Sequence, residues 1–66
     1  MDSYYSDLAI LKLNEASKAI VEGIAYAQDA NAPTWLLNNL HRINSNIKNR
    51  IKDILSLRKN KPYETP

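Results

Sequence analysis

Apolar side chains recur through the second half of the chain at the spacing of one helical face. A stripe with three- and four-residue steps is typical of an amphipathic helix that packs its apolar side against another element. The pattern predicts a helix over about residues 33–59. The residues of this stripe are Leu36, Leu40, Ile43, Ile47, Ile51 and Ile54.

The first half also has a helical composition, because residues 4–30 contain no proline and are rich in alanine, leucine, glutamate and lysine. Ser3 or Ser6 is the expected N-cap, with Asp7 near the positive end of the helix dipole. One heptad position holds Leu13, Ile20 and Ala27. The position three residues further along is a row of small residues: Ala9, Ala16, Gly23 and Ala30.

Small side chains at this spacing favour close approach of a second helix, and the tightest approach is expected at Gly23. The alternative is that alanine is abundant only because it is a good helix former. Helix two supplies large residues to cover the row. One of its heptad positions holds Leu40, Ile47 and Ile54, and the other holds Leu36, Ile43, Arg50 and Leu57.

The only break before the C-terminal tail is the segment 28–34, which contains Pro33. Proline favours the first position of a helix, so Pro33 is expected to open helix two and Asn31 or Ala32 to lie in the turn. A short turn makes consecutive helices antiparallel neighbours. The sequence therefore predicts a single all-α domain over residues 1–59, an antiparallel two-helix hairpin with helices at about 4–30 and 33–59, and a flexible tail over 60–66.

Length then argues for self-association. A chain of 66 residues without cysteine has no disulfides to stabilise it, and one seam between two helices buries little apolar surface. A second copy is the simplest remedy, and pairing two hairpins would form a four-helix bundle. With one histidine and no cysteine, no structural zinc site, other metal site or cofactor is expected.

Charge is divided between the two halves of the chain. Up to Pro33 acidic residues outnumber basic ones, and beyond it the balance reverses. An acidic helix beside a basic one favours the antiparallel hairpin. A basic stripe on helix two is also the footprint expected of a nucleic-acid-binding surface, although a solvated face is the commoner explanation. The residues of this basic stripe are His41, Lys48, Lys52 and Lys59.

Asparagine is frequent on helix two although it is a mediocre helix former. A polar face of this kind suits a hydrogen-bonded protein interface, while an AT-rich genome would explain the same abundance equally well. The candidate partner-binding residues are Trp35, Asn39, Arg42, Asn46, Asn49 and Arg50.

Two of these candidates allow a simpler structural explanation. Trp35 is expected to cap the bundle by folding over Ala27 and Ala30, with exposure as a partner anchor as the alternative. Arg50 is expected to pack its stem at the seam edge with its guanidinium in water, or else to need a carboxylate from Glu15, from Glu22 or from a partner.

Catalytic chemistry has no support in the sequence, which has neither a phosphate-binding glycine loop nor a nucleophile paired with a base. The N-terminus lacks the features of a signal peptide, and no apolar run is long enough to span a bilayer, so a cytoplasmic, non-membrane location is expected. The sequence predicts a non-enzymatic interaction module, an adaptor or inhibitor that binds a larger protein. Small helical chains of this sort are common in phages and plasmids, although no residue here demonstrates that origin. A nucleic-acid-binding dimer is the alternative.

Overall fold

The structure, a computed structural model, describes residues 2–59 except for the side chain of Lys59. Helix α1 (Ser3–Asp29) and helix α2 (Thr34–Lys59) pack against each other as a hairpin. The predicted all-helical hairpin is therefore confirmed. The predicted tail, residues 60–66, lies outside the described residues.

The N-terminus of α1 is capped by Asp2, so the expectation that Ser3 or Ser6 is the N-cap is wrong. Asp2 has an extended backbone, and its Oδ1 accepts a hydrogen bond from the Tyr5 N–H at 3.0 Å. A carboxylate satisfies a free N–H at a helix start as well as a hydroxyl does and also suits the dipole. Ser6 is instead buried within α1, where its Oγ donates to the Ser3 carbonyl at 3.0 Å.

The turn between the helices is a Schellman motif. Asn31 has a positive φ of 61°, and the N–H groups of Asn31 and Ala32 donate back to the carbonyls of Gln28 and Ala27, each at 3.0 Å. These bonds satisfy carbonyls that the end of α1 would otherwise leave free. The Pro33 carbonyl then accepts from the N–H groups of Leu36 and Leu37, so α2 starts one residue later than predicted.

Asn31→Gly is expected to stabilise the hairpin slightly, because glycine adopts a positive φ without the steric cost that a Cβ brings. Asn31→Val should destabilise it by at least about 1 kcal/mol, since a β-branched residue is a strong outlier in this region. Thermal unfolding followed by circular dichroism measures both changes. Equal melting temperatures for the two variants would show that the turn geometry contributes nothing to stability.

The seam between the helices follows a heptad pattern on both sides, with alternating steps of three and four residues. Most of its side chains are only half-buried, and Ile24, at 5% exposure, is the only buried apolar residue in the described part of the chain. The seam residues of α1 are Ser6, Ile10, Leu13, Ser17, Ile20, Ile24 and Ala27. Those of α2 are Leu37, Leu40, Asn44, Ile47, Ile51, Ile54 and Arg58.

One of the two predicted seam lines of α2 is therefore wrong. Arg50, Ile43 and Leu57 are exposed, and the line that contains Asn44 and Arg58 replaces them. Hydrogen bonding explains why this line faces α1, because its two polar side chains, Asn44 and Arg58, both have partners on α1. The Ser17 hydroxyl donates to Asn44 Oδ1 at 2.6 Å, and Arg58 Nη1 lies 2.6 Å from Asp7 Oδ1.

The predicted close approach at Gly23 is also wrong. Gly23 is exposed, and a Cβ built there would have no neighbour within 4 Å. The seam uses Ile24 instead, because isoleucine buries more apolar area than glycine does. Ala9 and Ala16 of the same row are half-buried, while Ala30 is exposed.

Gly23→Ala is accordingly expected to stabilise the hairpin by about 0.8 to 1 kcal/mol, because alanine is the better helix former and meets no obstruction. Denaturant unfolding measures the gain as a higher midpoint with an unchanged slope. A lower midpoint would show that a neighbour occupies the space beside Gly23 in solution.

Candidate interaction surfaces

The seam divides the surface of the hairpin into two edges. In an antiparallel pair the two helices are related by a pseudo-two-fold axis, so residues at equivalent heptad positions lie on the same side of the seam. The hydrogen bond between Ser17 and Asn44, which occupy equivalent positions, agrees with this placement. The lysine edge, on the side of these two residues, consists of Asp7, Asn14, Val21 and Gln28 from α1 and His41, Lys48 and Leu55 from α2.

The opposite side of the seam is more apolar. The alanine edge consists of Ala9, Ala16 and Gly23 from α1 and Leu36, Ile43, Arg50 and Leu57 from α2, so one exposed arginine interrupts its row of large apolar residues. The seam residues that border this edge are half-buried, so the apolar surface continues from the seam onto the edge. They are Leu13, Ile20 and Ala27 in α1 and Leu40, Ile47 and Ile54 in α2.

The candidate partner-binding residues lie on the outer side of α2. Residues seven apart on a helix fall in one line, which aligns Trp35, Arg42 and Asn49, with Asn39 and Asn46 in the neighbouring line. All five are exposed, and together they form the asparagine surface. The structure therefore brings these five residues together on one face.

Trp35 does not cap the end of the hairpin as expected. It is 65% exposed in the first turn of α2. At that position its ring points away from the seam, so it cannot fold over Ala27 and Ala30. An exposed tryptophan is a common anchor in protein interfaces.

Arg50 does not belong with this group. Its Nε lies 2.8 Å from Asp53 Oδ2, one helical turn further along, and the ion pair is exposed. The guanidinium of Arg50 is therefore exposed, as expected. Its carboxylate partner is Asp53 of α2, and the expectation of a carboxylate from Glu15 or Glu22 is wrong within the hairpin.

The basic stripe divides between two lines. His41 and Lys48 lie on the lysine edge, and Lys52 lies on the adjoining outer line of α2. The side chain of Lys59 is outside the described residues. Within the described residues neither Lys48 nor Lys52 takes part in an ion pair. These two ammonium groups are therefore available to an anionic ligand.

Sequence reasoning missed the cross-helix polar contacts. The sequence does contain a signal for these contacts. Leu37, Asn44, Ile51 and Arg58 are spaced seven residues apart, as regularly as the predicted line of Leu36, Ile43, Arg50 and Leu57. Residues 2–59 contain no group of three or more His, Asp or Glu side chains placed to hold a metal ion. Neither described helix has both the length and the hydropathy required to span a bilayer.

Comparison of the chain with protein-family models, with curated protein sequences and with solved structures gives no match. The fold defines the class of the protein as an antiparallel two-helix hairpin.

Proposed function

We propose that this chain is a non-enzymatic protein-interaction module, an adaptor or inhibitor that self-associates and binds a larger protein. The observation that carries the proposal is the exposed line of Trp35, Arg42 and Asn49, flanked by Asn39 and Asn46. Tryptophan and arginine are among the residues that most often dominate the binding energy of a protein interface, and asparagine can supply hydrogen bonds at the rim of that interface.

The charge and packing of this surface suit a protein partner. The asparagine side chains can donate and accept hydrogen bonds without burying a charge, and the Arg42 guanidinium can pair with a carboxylate of the partner. None of the five residues belongs to the seam, so a partner can bind them without opening the hairpin. The surface is rigid, because a helix presents it, and a preorganised surface loses less entropy on binding.

The test compares two triple-alanine variants as baits in a native lysate, with bound proteins identified by mass spectrometry. The first variant changes Trp35, Arg42 and Asn49, and the matched control changes His41, Lys48 and Lys52. The partner should bind the wild type and the control but not the first variant. With the purified partner, Trp35→Ala alone should raise the dissociation constant by at least about 30-fold, which is the loss of affinity typical of a hot spot.

A partner that binds both variants equally well would show that the asparagine surface is not the binding site. Circular dichroism of both variants supplies the folding control, because all six changed residues are exposed and alanine favours a helix.

Nucleic-acid binding by a dimer is the second candidate, and the unpaired Lys48 and Lys52 favour it. Asn14 and Val21 of the lysine edge are uncharged, and Asp7 on the same edge already pairs with Arg58, so α1 does not neutralise these lysines. The measurement is a mobility shift of random duplex DNA between 50 and 200 mM salt. Affinity that falls steeply with salt, and that Lys48→Gln with Lys52→Gln abolishes, would establish this function. No shift at low salt would exclude it.

A further inference from the structure

The alanine edge is an apolar region beside the seam that the hairpin leaves uncovered. Its large residues all come from α2, and its small residues all come from α1. Ile43 and Leu57 are 47% and 56% exposed, and Gly23 has open space beside it. The Cα atoms span only 9 Å in the thinnest direction, so the structure is one layer of helices, whereas stable domains use at least two.

We propose that a second copy of this chain covers the alanine edge, with its α2 lying antiparallel against α1 of the first copy. This rests on the self-association in the proposed function and specifies its surface and geometry. A two-fold axis along the length of the hairpin would relate the copies and produce an alternating four-helix bundle in which every neighbouring pair is antiparallel.

Shape complementarity supports a second copy as the occupant. Rotation about a two-fold axis parallel to the helices does not shift residues along that axis. A residue of α2 in the second copy is therefore level with the same α1 residues that it is level with in its own hairpin. The Ser17–Asn44 contact places Ile43 of the second copy close to the height of the gap between Ala16 and Gly23. A large side chain then enters the space above small ones, twice per dimer.

Charge complementarity supports the same arrangement. Lys12 pairs with Glu15 on α1 at 3.3 Å, and Arg50 pairs with Asp53 on α2 at 2.8 Å. Lys12 lies midway between Asp7 and Ser17, whose contacts with α2 set the register. Because α2 runs antiparallel, Lys12 would lie beside Asp53 of the second copy, within about 3 Å along the axis.

Packing α1 against α1 would lose this complementarity, since it would bring together two helices that both carry an excess of acidic residues. The available area is also within the range of stable dimers. Helix α1 is about 40 Å long, and the two helices span 18 Å, which gives a contact face of about 700 Å² per copy. Standard-size interfaces bury about 600 to 1,000 Å² per partner.

The first test uses two matched pairs of substitutions with sedimentation equilibrium. Ile43→Glu and Leu57→Glu change the alanine edge, and Val21→Glu and Leu55→Glu change the lysine edge. Val21 and Leu55 are matched controls because they are similarly exposed, at 51% and 41%. The alanine-edge variants should weaken the dimer at least about 30-fold, and the lysine-edge variants should leave it within about three-fold of the wild type.

The second test reads the arrangement directly and does not depend on the stability of a variant. Since the chain has no cysteine, Ala16→Cys and Ile43→Cys proteins can be mixed and oxidised. Mixed disulfides that join position 16 to position 43 of another molecule should predominate, because these two positions differ by only about 3 Å along the axis. Disulfides between two copies of the same variant would overturn the alternating arrangement in favour of like helices packed together.

The remaining outcomes separate this inference from the proposed function. A wild-type dimer that all four glutamate variants leave unchanged would overturn the choice of the alanine edge alone. A wild type that stays monomeric at 1 mM, or that forms open higher oligomers, would overturn the closed dimer. Binding of a larger protein would still be decided separately, since Trp35, Arg42 and Asn49 lie outside the alanine edge.

Discussion

Replacement of Ile24 by alanine is expected to cause the largest loss of stability of any single apolar-to-alanine change in the described part of the chain. Ile24 is the only buried apolar residue there. Its truncation removes buried methyl and methylene groups, which typically costs about 2 to 4 kcal/mol in a packed core. A domain of this size has a total stability of only about 3 to 10 kcal/mol.

Thermal unfolding followed by circular dichroism at 222 nm measures the effect of Ile24→Ala. The melting temperature should fall by about 10 °C or more, because each kcal/mol shifts it by about 4 to 8 °C in a small domain. Val21→Ala is the matched control, since Val21 lies one turn away on the same helix and is exposed. A fall of the same size in both variants would show that the loss does not come from burial in the seam.

The polar pair in the middle of the seam should produce the second large effect. Asn44→Ala is expected to destabilise the hairpin by about 1 to 2 kcal/mol, because the buried Ser17 hydroxyl loses its partner at 2.6 Å. Replacing both residues, as Ser17→Ala with Asn44→Leu, should instead raise the stability above that of the wild type. Two apolar residues then meet where a hydrogen bond was, and no polar group is left unpaired.

The double variant is expected to lose specificity as it gains stability. A polar residue at a seam position selects one register, since other registers leave it without a partner. Denaturant unfolding measures the stability, and the dispersion of amide resonances in an NMR spectrum measures whether one structure predominates. A double variant that is less stable than either single variant would show that Ser17 and Asn44 contribute more than their hydrogen bond.

Some of the candidate surface could be predicted from the sequence. The seven-residue spacing of Trp35, Arg42 and Asn49 depends only on the helical repeat, so their common face followed once α2 was recognised. The alanine row was also visible as a pattern. Whether this row faces the other helix could not be predicted. A row of small residues can lie in a seam or beside it, and only the position of the neighbouring helix distinguishes the two.

The two helices and the turn between them follow from local features of the chain, because they depend on helix propensity, apolar period and the positions of Asn31 and Pro33. Which of two equally regular lines of α2 faces α1 depends on packing between the helices. That choice depends on whether Asn44 and Arg58 find partners on α1, and the partners, Ser17 and Asp7, are 27 and 51 residues away in sequence. Contacts so distant along the chain have no local signal, so only the packed pair of helices shows them.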